Sequence, residues 1–213
     1  MPLLTLSQSY LGISQQPLGL LFIEANCGDL QQYLDNHTDT ISEDLRLTWC
    51  LQAAEAIAYI HSREVIHSDI RPENFLLHVH LPNTYPDLLL CDFGGSHCKI
   101  DDKIIDGGHL PDAGFYDPNK EWISDKDTDI FALGSGFYTI MTGHWPYKSA
   151  GQFVSVEESE EYEDTVNELF TKREFPAVED LVGGSIILDC WTEKIRDAGV
   201  VVTRYEDLLQ TEK

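Results

Sequence analysis

The order of apolar and polar positions separates the chain into short unbroken apolar runs and longer stretches at helical spacing. Leu18–Ala25 is an apolar run closed by Pro17 and by the turn-like Asn26-Cys27-Gly28-Asp29, and it predicts a buried strand. Leu30–Leu34 can open a short helix. Ser42 has the chemistry of an N-cap, with Glu43 and Asp44 placed where the helix dipole favours acids. From there Leu47, Cys50, Leu51, Ala54, Ile57 and Ala58 recur at helical spacing, which predicts a helix to about Ser62. Phe75–Val79 and Leu88–Cys91 read as two strands joined by a hairpin loop that carries Pro82, Asn83 and Pro86. Residues 94–118, rich in Gly, Asp and Pro, read as a long loop.

A second long helix is expected at about Thr128–Thr142, with Ile130, Leu133, Phe137 and Met141 on one face and Gly143 as its stop. The acidic run 157–164 reads as a solvated helix face or loop, or as an acidic docking surface. Further helices are expected around Val166–Phe170, Leu181–Trp191 and Arg204–Gln210. Trp49, Trp122, Trp145 and Trp191 are expected in the core or at its margin. The pattern describes an α+β chain, mainly α, of one domain's length at 213 residues.

Charge then removes whole classes of function. With 14 Lys+Arg against 37 Asp+Glu, the net charge is −23, which opposes a nucleic acid or an anionic membrane surface as partner. The five cysteines are odd in number, widely spaced and without a C-x-x-C pair, so reduced thiols in an intracellular, cytoplasmic protein are expected. No apolar run is long enough for a signal peptide or a membrane span. His78 and His80 have no third ligand nearby in sequence, and the Gly-Gly-Ser triplets at 94–96 and 183–185 lack the last glycine of a nucleophile elbow.

Three segments carry chemistry: His67-Ser68-Asp69-Ile70-Arg71-Pro72-Glu73-Asn74, then Asp92-Phe93-Gly94-Gly95, and, earlier, Glu24 to Asp29. In order and spacing they resemble the protein kinase catalytic loop, the D-F-G motif and the hinge. Segments such as Val65–Leu77 and Phe131–Tyr147 are similar to small kinase-like proteins of fungi. The resemblance implies a kinase-like C-lobe with a remnant hinge strand over 18–213, and an N-terminal remnant at 1–17.

It also implies roles and cofactors, ATP and Mg²⁺. Asp69 resembles the carboxylate that orients the acceptor hydroxyl and takes its proton, and Asn74 and Asp92 the oxygen ligands of the metal. Arg71 stands for the usual lysine two places after the base. Glu24 and Asn26 would offer hinge backbone groups to adenine; Ile23 takes the gatekeeper place, Asp29 the ribose-contacting place and Leu76 the floor. His67 is expected as a structural ring, bonded to Asp129.

Departures from the pattern sit mainly ahead of the hinge. No G-x-G-x-x-G occurs, and Lys99 is the first lysine of the chain, so the phosphate-anchoring lysine of the family has no counterpart here. Ser68 replaces the arginine that would bind a phosphorylated loop; between Asp92 and Ile123 Ser96 is the only serine, no threonine occurs, and Tyr116 is a possible acceptor. Tyr116-Asp117-Pro118-Asn119 keeps only the proline of A-P-E, so Arg196 and Arg204 would lack the family's glutamate partner. The expectation is an impaired Ser/Thr-type protein kinase acting on a protein substrate, with a non-catalytic pseudokinase that binds a protein partner, or a truncated fragment, as rivals.

Overall fold

The computed structural model describes residues 10–15, 17–82, 84–109, 111–121 and 123–211. Trp122, Asn83 and the first part of the N-terminal stretch lie outside the described residues. Thirteen named strands and helices position the site: β1 (Tyr10–Gln15), β2 (Leu18–Phe22), α1 (Leu30–His37), α2 (Glu43–His61), β3 (Val65–Ile66), β4 (Phe75–His78), β5 (Asp87–Leu90), β6 (His97–Ile100), β7 (Lys103–Asp106), α3 (Lys126–Thr142), α4 (Val156–Thr171), α5 (Gly184–Trp191) and α6 (Ala198–Thr211).

The core is helical. α2 starts where its cap dictates, with the Ser42 side chain accepting from the Leu45 backbone N–H and Glu43 and Asp44 in the first turn. Its buried residues include Leu45, Leu47, Trp49, Ala53, Ala54, Ile57 and Ile60, spread around the helix rather than along one stripe. α3 is buried without a break from Asp129 to Ile140. A helix apolar on all sides belongs inside a domain, and these two helices form its axis. α6 lies along α2 and α5 along α3. Trp49, Trp191, Phe137 and Tyr205 are fully buried, and the Trp191 indole N–H donates to Ser135 Oγ at 2.9 Å. Gly143 ends α3 at φ 86°, a left-handed conformation that glycine adopts without a Cβ clash.

The expected hairpin of β4 and β5 is present, antiparallel, with Phe75 opposite Leu90 and His78 opposite Asp87. The 94–118 stretch is not one loop. β6 and β7 form a second hairpin inside it, and β6 also pairs with β3. Its turn is Asp101-Asp102, both residues at positive φ, and β3 has only two residues, so neither leaves a strong strand signal in the sequence. The acidic run 157–164 lies on α4, whose buried positions are Val166 and Phe170.

The Leu18–Ala25 strand differs from expectation. It is shorter, β2, and every position of it is exposed. It pairs antiparallel with β1, and among the described residues these two strands form a sheet of their own. An apolar run predicts burial only where something lies over it, and here nothing described does. No described helix is long and apolar enough to cross a membrane.

Candidate active site

The catalytic-loop segment is held from below by one buried carboxylate. Asp129, in the first turn of α3, is fully buried. Its Oδ2 accepts from the His61 ring Nε2 at 2.8 Å and from the His67 backbone N–H at 2.8 Å, and its Oδ1 accepts from the Ser68 backbone N–H at 2.9 Å. The expected link between His67 and Asp129 therefore runs through the backbone. The imidazole that meets Asp129 is that of His61, while the His67 ring Nε2 lies 2.9 Å from the Cys91 carbonyl and its ring packs on Phe93. The sequence marked the start of α3 but not this role for Asp129. Asp129 is the buried one of the two acids in the first turn of α3 and opens the run buried from 129 to 140.

Above that anchor the structure brings Asp69, Arg71 and Asn74 together. Asn74 Nδ2 donates to the Asp69 backbone carbonyl and to Asp69 Oδ2, both at 2.7 Å. Its nitrogen so committed, the amide turns its oxygen to accept from elsewhere. Arg71 Nε stands 3.6 Å from Asp69 Oδ1, and the Arg71 guanidinium is ion-paired through Nη1 with Asp112. Burial works against the Arg71 charge, but Asp112, Asp69 and Glu73 more than offset it and raise the guanidinium's affinity for its proton.

The β4–β5 hairpin delivers the D-F-G segment to the same place. The Cys91 backbone N–H donates to the Asn74 carbonyl at 2.9 Å, so Asp92 follows directly on a residue paired with Asn74. Asp92 is exposed, in a left-handed conformation (φ 54°, ψ 73°), and its carboxylate accepts from the Gly94 backbone N–H at 3.2 Å. Burial, then the negative charges of Asp92 and Asp29, push the Cys91 thiol up to about 11, so it stays a thiol and donates to the Asn74 carbonyl. An amide oxygen and an exposed carboxylate are of the hard oxygen-donor type that could hold Mg²⁺ together with phosphates. The described residues hold no group of three or more His, Cys, Asp or Glu fit for a metal by themselves.

The hinge residues form a separate cluster beside β4. Cys27 N–H donates to the Leu77 carbonyl at 3.0 Å and Leu77 N–H to the Gly28 carbonyl at 2.9 Å, while Asp29 bridges to Leu76. The Asn26 side chain clamps Val79 from both sides, Nδ2 donating to its carbonyl at 3.0 Å and Oδ1 accepting its N–H at 2.9 Å. Asp29 caps α1, accepting from Gln32 N–H at 2.8 Å. Leu76 is half-buried, and Ile23 and Glu24 are exposed on the segment that leaves β2.

Glu73 is the least settled acid of the site. Burial first, with Asp112 and Asp29 adding to it, raises its carboxyl above the usual range despite its hydrogen bonding and Arg71 nearby, and its Oε2 is buried without a hydrogen-bond partner. On the far side of the loop, the family's glutamate–arginine contact takes another form. Asp117, buried, pairs with Arg173 at 2.9 Å, and Asn119 Nδ2 donates to the Phe170 and Thr171 carbonyls. Arg196 pairs instead with Asp127 and Glu193, and Arg204 with Asp189.

Comparison with known proteins agrees with this geometry. The protein kinase domain profile matches residues 10–182. The chain is 33% identical over 156 residues to the serine/threonine-protein kinase pkn3 of Myxococcus xanthus, covering 67% of this chain and 28% of that protein. It is 30% identical over 128 residues to an Aurora kinase of Yarrowia lipolytica, 58% of this chain and 32% of that one. To the 3-phosphoinositide-dependent protein kinase 1 of Rattus norvegicus it is 25% identical over 169 residues, 78% and 28% of the two chains. The chain belongs to the protein kinase domain family. It spans about a third or less of the length of these curated relatives.

Proposed function

We propose that this chain transfers a phosphoryl group from Mg-ATP to a serine or threonine hydroxyl of a protein, at a rate reduced by the absence of an early lysine. The observation that supports this most is the pair of hydrogen bonds that Asn74 Nδ2 donates to Asp69, with Cys91 tied to the Asn74 carbonyl so that Asp92 follows directly. Asp69 would orient the acceptor hydroxyl and take its proton as the oxygen–phosphorus bond forms and ADP leaves. Asn74, through its amide oxygen, and Asp92, through its carboxylate, would hold the metal. When bound, Mg²⁺ supplies neutralisation of the phosphate charge. Arg71 adds a cation beside Asp69, and Ile23, Glu24, Asn26, Asp29 and Leu76 would form the nucleotide edge. The Pro72-Glu73-Asn74 ending of the loop supports the Ser/Thr assignment.

A second reading, a non-catalytic module that binds a protein partner, is favoured by one observation: the chain has no lysine before Lys99 to hold the phosphates. Radiolabelled phosphoryl transfer to a library of Ser and Thr peptides distinguishes the two. Mg-dependent incorporation that disappears in Asp69→Asn and Asp92→Asn supports the transferase. Incorporation that persists in both variants, or is absent from the native chain despite nucleotide binding, refutes it.

A further inference from the structure

The β1–β2 hairpin has two unlike faces. Successive residues of a strand point to opposite sides, and residues directly opposite across a pair share one. Leu18, Leu20 and Phe22 therefore lie on one face of β2, and the register sets Ile13 opposite Leu20 on that face. The register slips between Tyr10 and Gly12, and the Tyr10 ring meets the Phe22 ring edge-on, with centroids 5.8 Å apart. Tyr10, Ile13, Leu18, Leu20 and Phe22 thus make one continuous apolar face, and all five are exposed, from 42% for Phe22 to 84% for Leu18. The paired positions of the other face are Gly12, Ser14, Gly19 and Leu21.

A two-stranded hairpin by itself is marginal in water and gains stability from a further layer on its apolar face. We propose that this layer is the same face of a second copy of the chain, the two hairpins stacking about a two-fold axis as a four-stranded sandwich. Two observations single out this occupant. The first is charge. The chain carries 37 Asp+Glu against 14 Lys+Arg, yet its first charged side chain is Glu24. Two copies of so acidic a chain repel where their bodies approach, and on this hairpin they meet with no charge to oppose or desolvate. The second is area. At about 200 Å² for a large apolar residue, the five present roughly 600 Å² to water, so a stack of two would bury about 1,200 Å², the lower bound for a specific protein pair. A face that matches itself also closes the assembly at two.

Such a pair is weak and concentration-dependent. Apolar burial drives it, and the charge of −23 on each chain opposes it, so it tightens as salt screens the repulsion. In dilute solution the chain is a monomer and Leu20 stays in water.

Sedimentation velocity of the full chain, from submicromolar to submillimolar concentration, is the test. The expected result is a reversible rise to twice the mass of the chain, reached at severalfold lower concentration in high salt than in low. Leu20→Asp and Ile13→Asp each place a charge in the middle of the stacked face, at positions where a monomer tolerates it, and should hold the chain at its single mass. Ser14→Asp places the same charge on the other face and should leave the pairing nearly unchanged. Melting curves in dilute solution check that each variant keeps the native fold. A native chain that stays single at every concentration and salt overturns the proposal. So does a mass that climbs past two copies, or a pair that survives both Leu20→Asp and Ile13→Asp. Loss of pairing in Ser14→Asp equal to that in Leu20→Asp overturns the choice of face.

Discussion

The helical body and the β1–β2 hairpin both carry large apolar side chains and end in opposite states. In the body, Trp49, Trp191, Phe137 and Tyr205 have no meaningful contact with solvent. In the hairpin, Leu18 is 84% exposed, and Tyr10, Leu11, Ile13, Leu20, Leu21 and Phe22 are all exposed as well. The difference lies in neighbours. The body's side chains meet other helices, whereas among the described residues the two strands pair only with each other and their apolar side chains are exposed. The 67–74 loop hangs from the body through Asp129, and the proposed nucleotide edge leads out of the hairpin. Asp69 and Asn74, which would carry the chemistry, are therefore buried on the body side, and the residues that would grip adenine stand at the boundary between the two regions.

The largest effects should come from cutting the body. Trp191→Ala removes a fully buried indole stacked on Phe175 and should cost about 3–5 kcal/mol in denaturant unfolding. Asp129→Ala strands three buried donors. At about 1–3 kcal/mol for each buried group left without a partner, it should cost upward of about 3 kcal/mol. If Asp129→Ala proved nearly neutral in unfolding, the loop would not be founded on the body as described.

A smaller effect sharpens the comparison at the site itself. The raised carboxyl of Glu73 means that the folded state holds that proton more tightly than the unfolded chain. Stability should then fall as pH rises from roughly 4, the ordinary range of a glutamate, through the higher folded value, and the loss should be complete above it. Glu73→Gln removes the ionisation, so its stability relative to the native chain should grow over that window and then level off. Melting curves across pH check it, and a constant difference would contradict it. The smallest effect belongs to the hairpin. Leu20→Ser should change stability by less than about 0.5 kcal/mol, because the side chain it removes is already in water.

Much of this was legible in the sequence, for reasons that can be named. α2 and α3 announced themselves because cap, charge and apolar period agreed at Ser42 and Gly143. The β4–β5 hairpin did so because two apolar runs flanked a Pro-rich turn. Asp69, Asn74 and Asp92 were singled out by the order and spacing of motifs that resemble a known family; Asn74 is hydrogen-bonded to Asp69, and the hairpin pairs Cys91, next to Asp92, with Asn74. What was missed depends on contacts distant in sequence. The His67–Asp129 link was expected through the imidazole, but Asp129 reaches back 62 residues to the His67 backbone, and the ring it meets is that of His61, which nothing local marks. His109 and Asp112 lie in a stretch of weak pattern, and only the fold carries them to Asp69 and Arg71. The exposure of β2 was hidden for the converse reason: an apolar run states what a strand would bury, not whether a partner is there.

The central claim is that Asn74 and Asp92 make a working Mg-ATP site on a kinase-like body. A melting curve with and without Mg-ATP tests it directly, since a ligand that binds the folded state raises stability by RT ln(1 + [L]/Kd). Asp92→Asn is the matched control, because asparagine tolerates the left-handed backbone found there while losing the carboxylate charge. The account predicts that millimolar Mg-ATP raises the melting temperature of the native chain and that the rise is lost in Asp92→Asn. No rise in the native chain, or an equal rise in both, would contradict it.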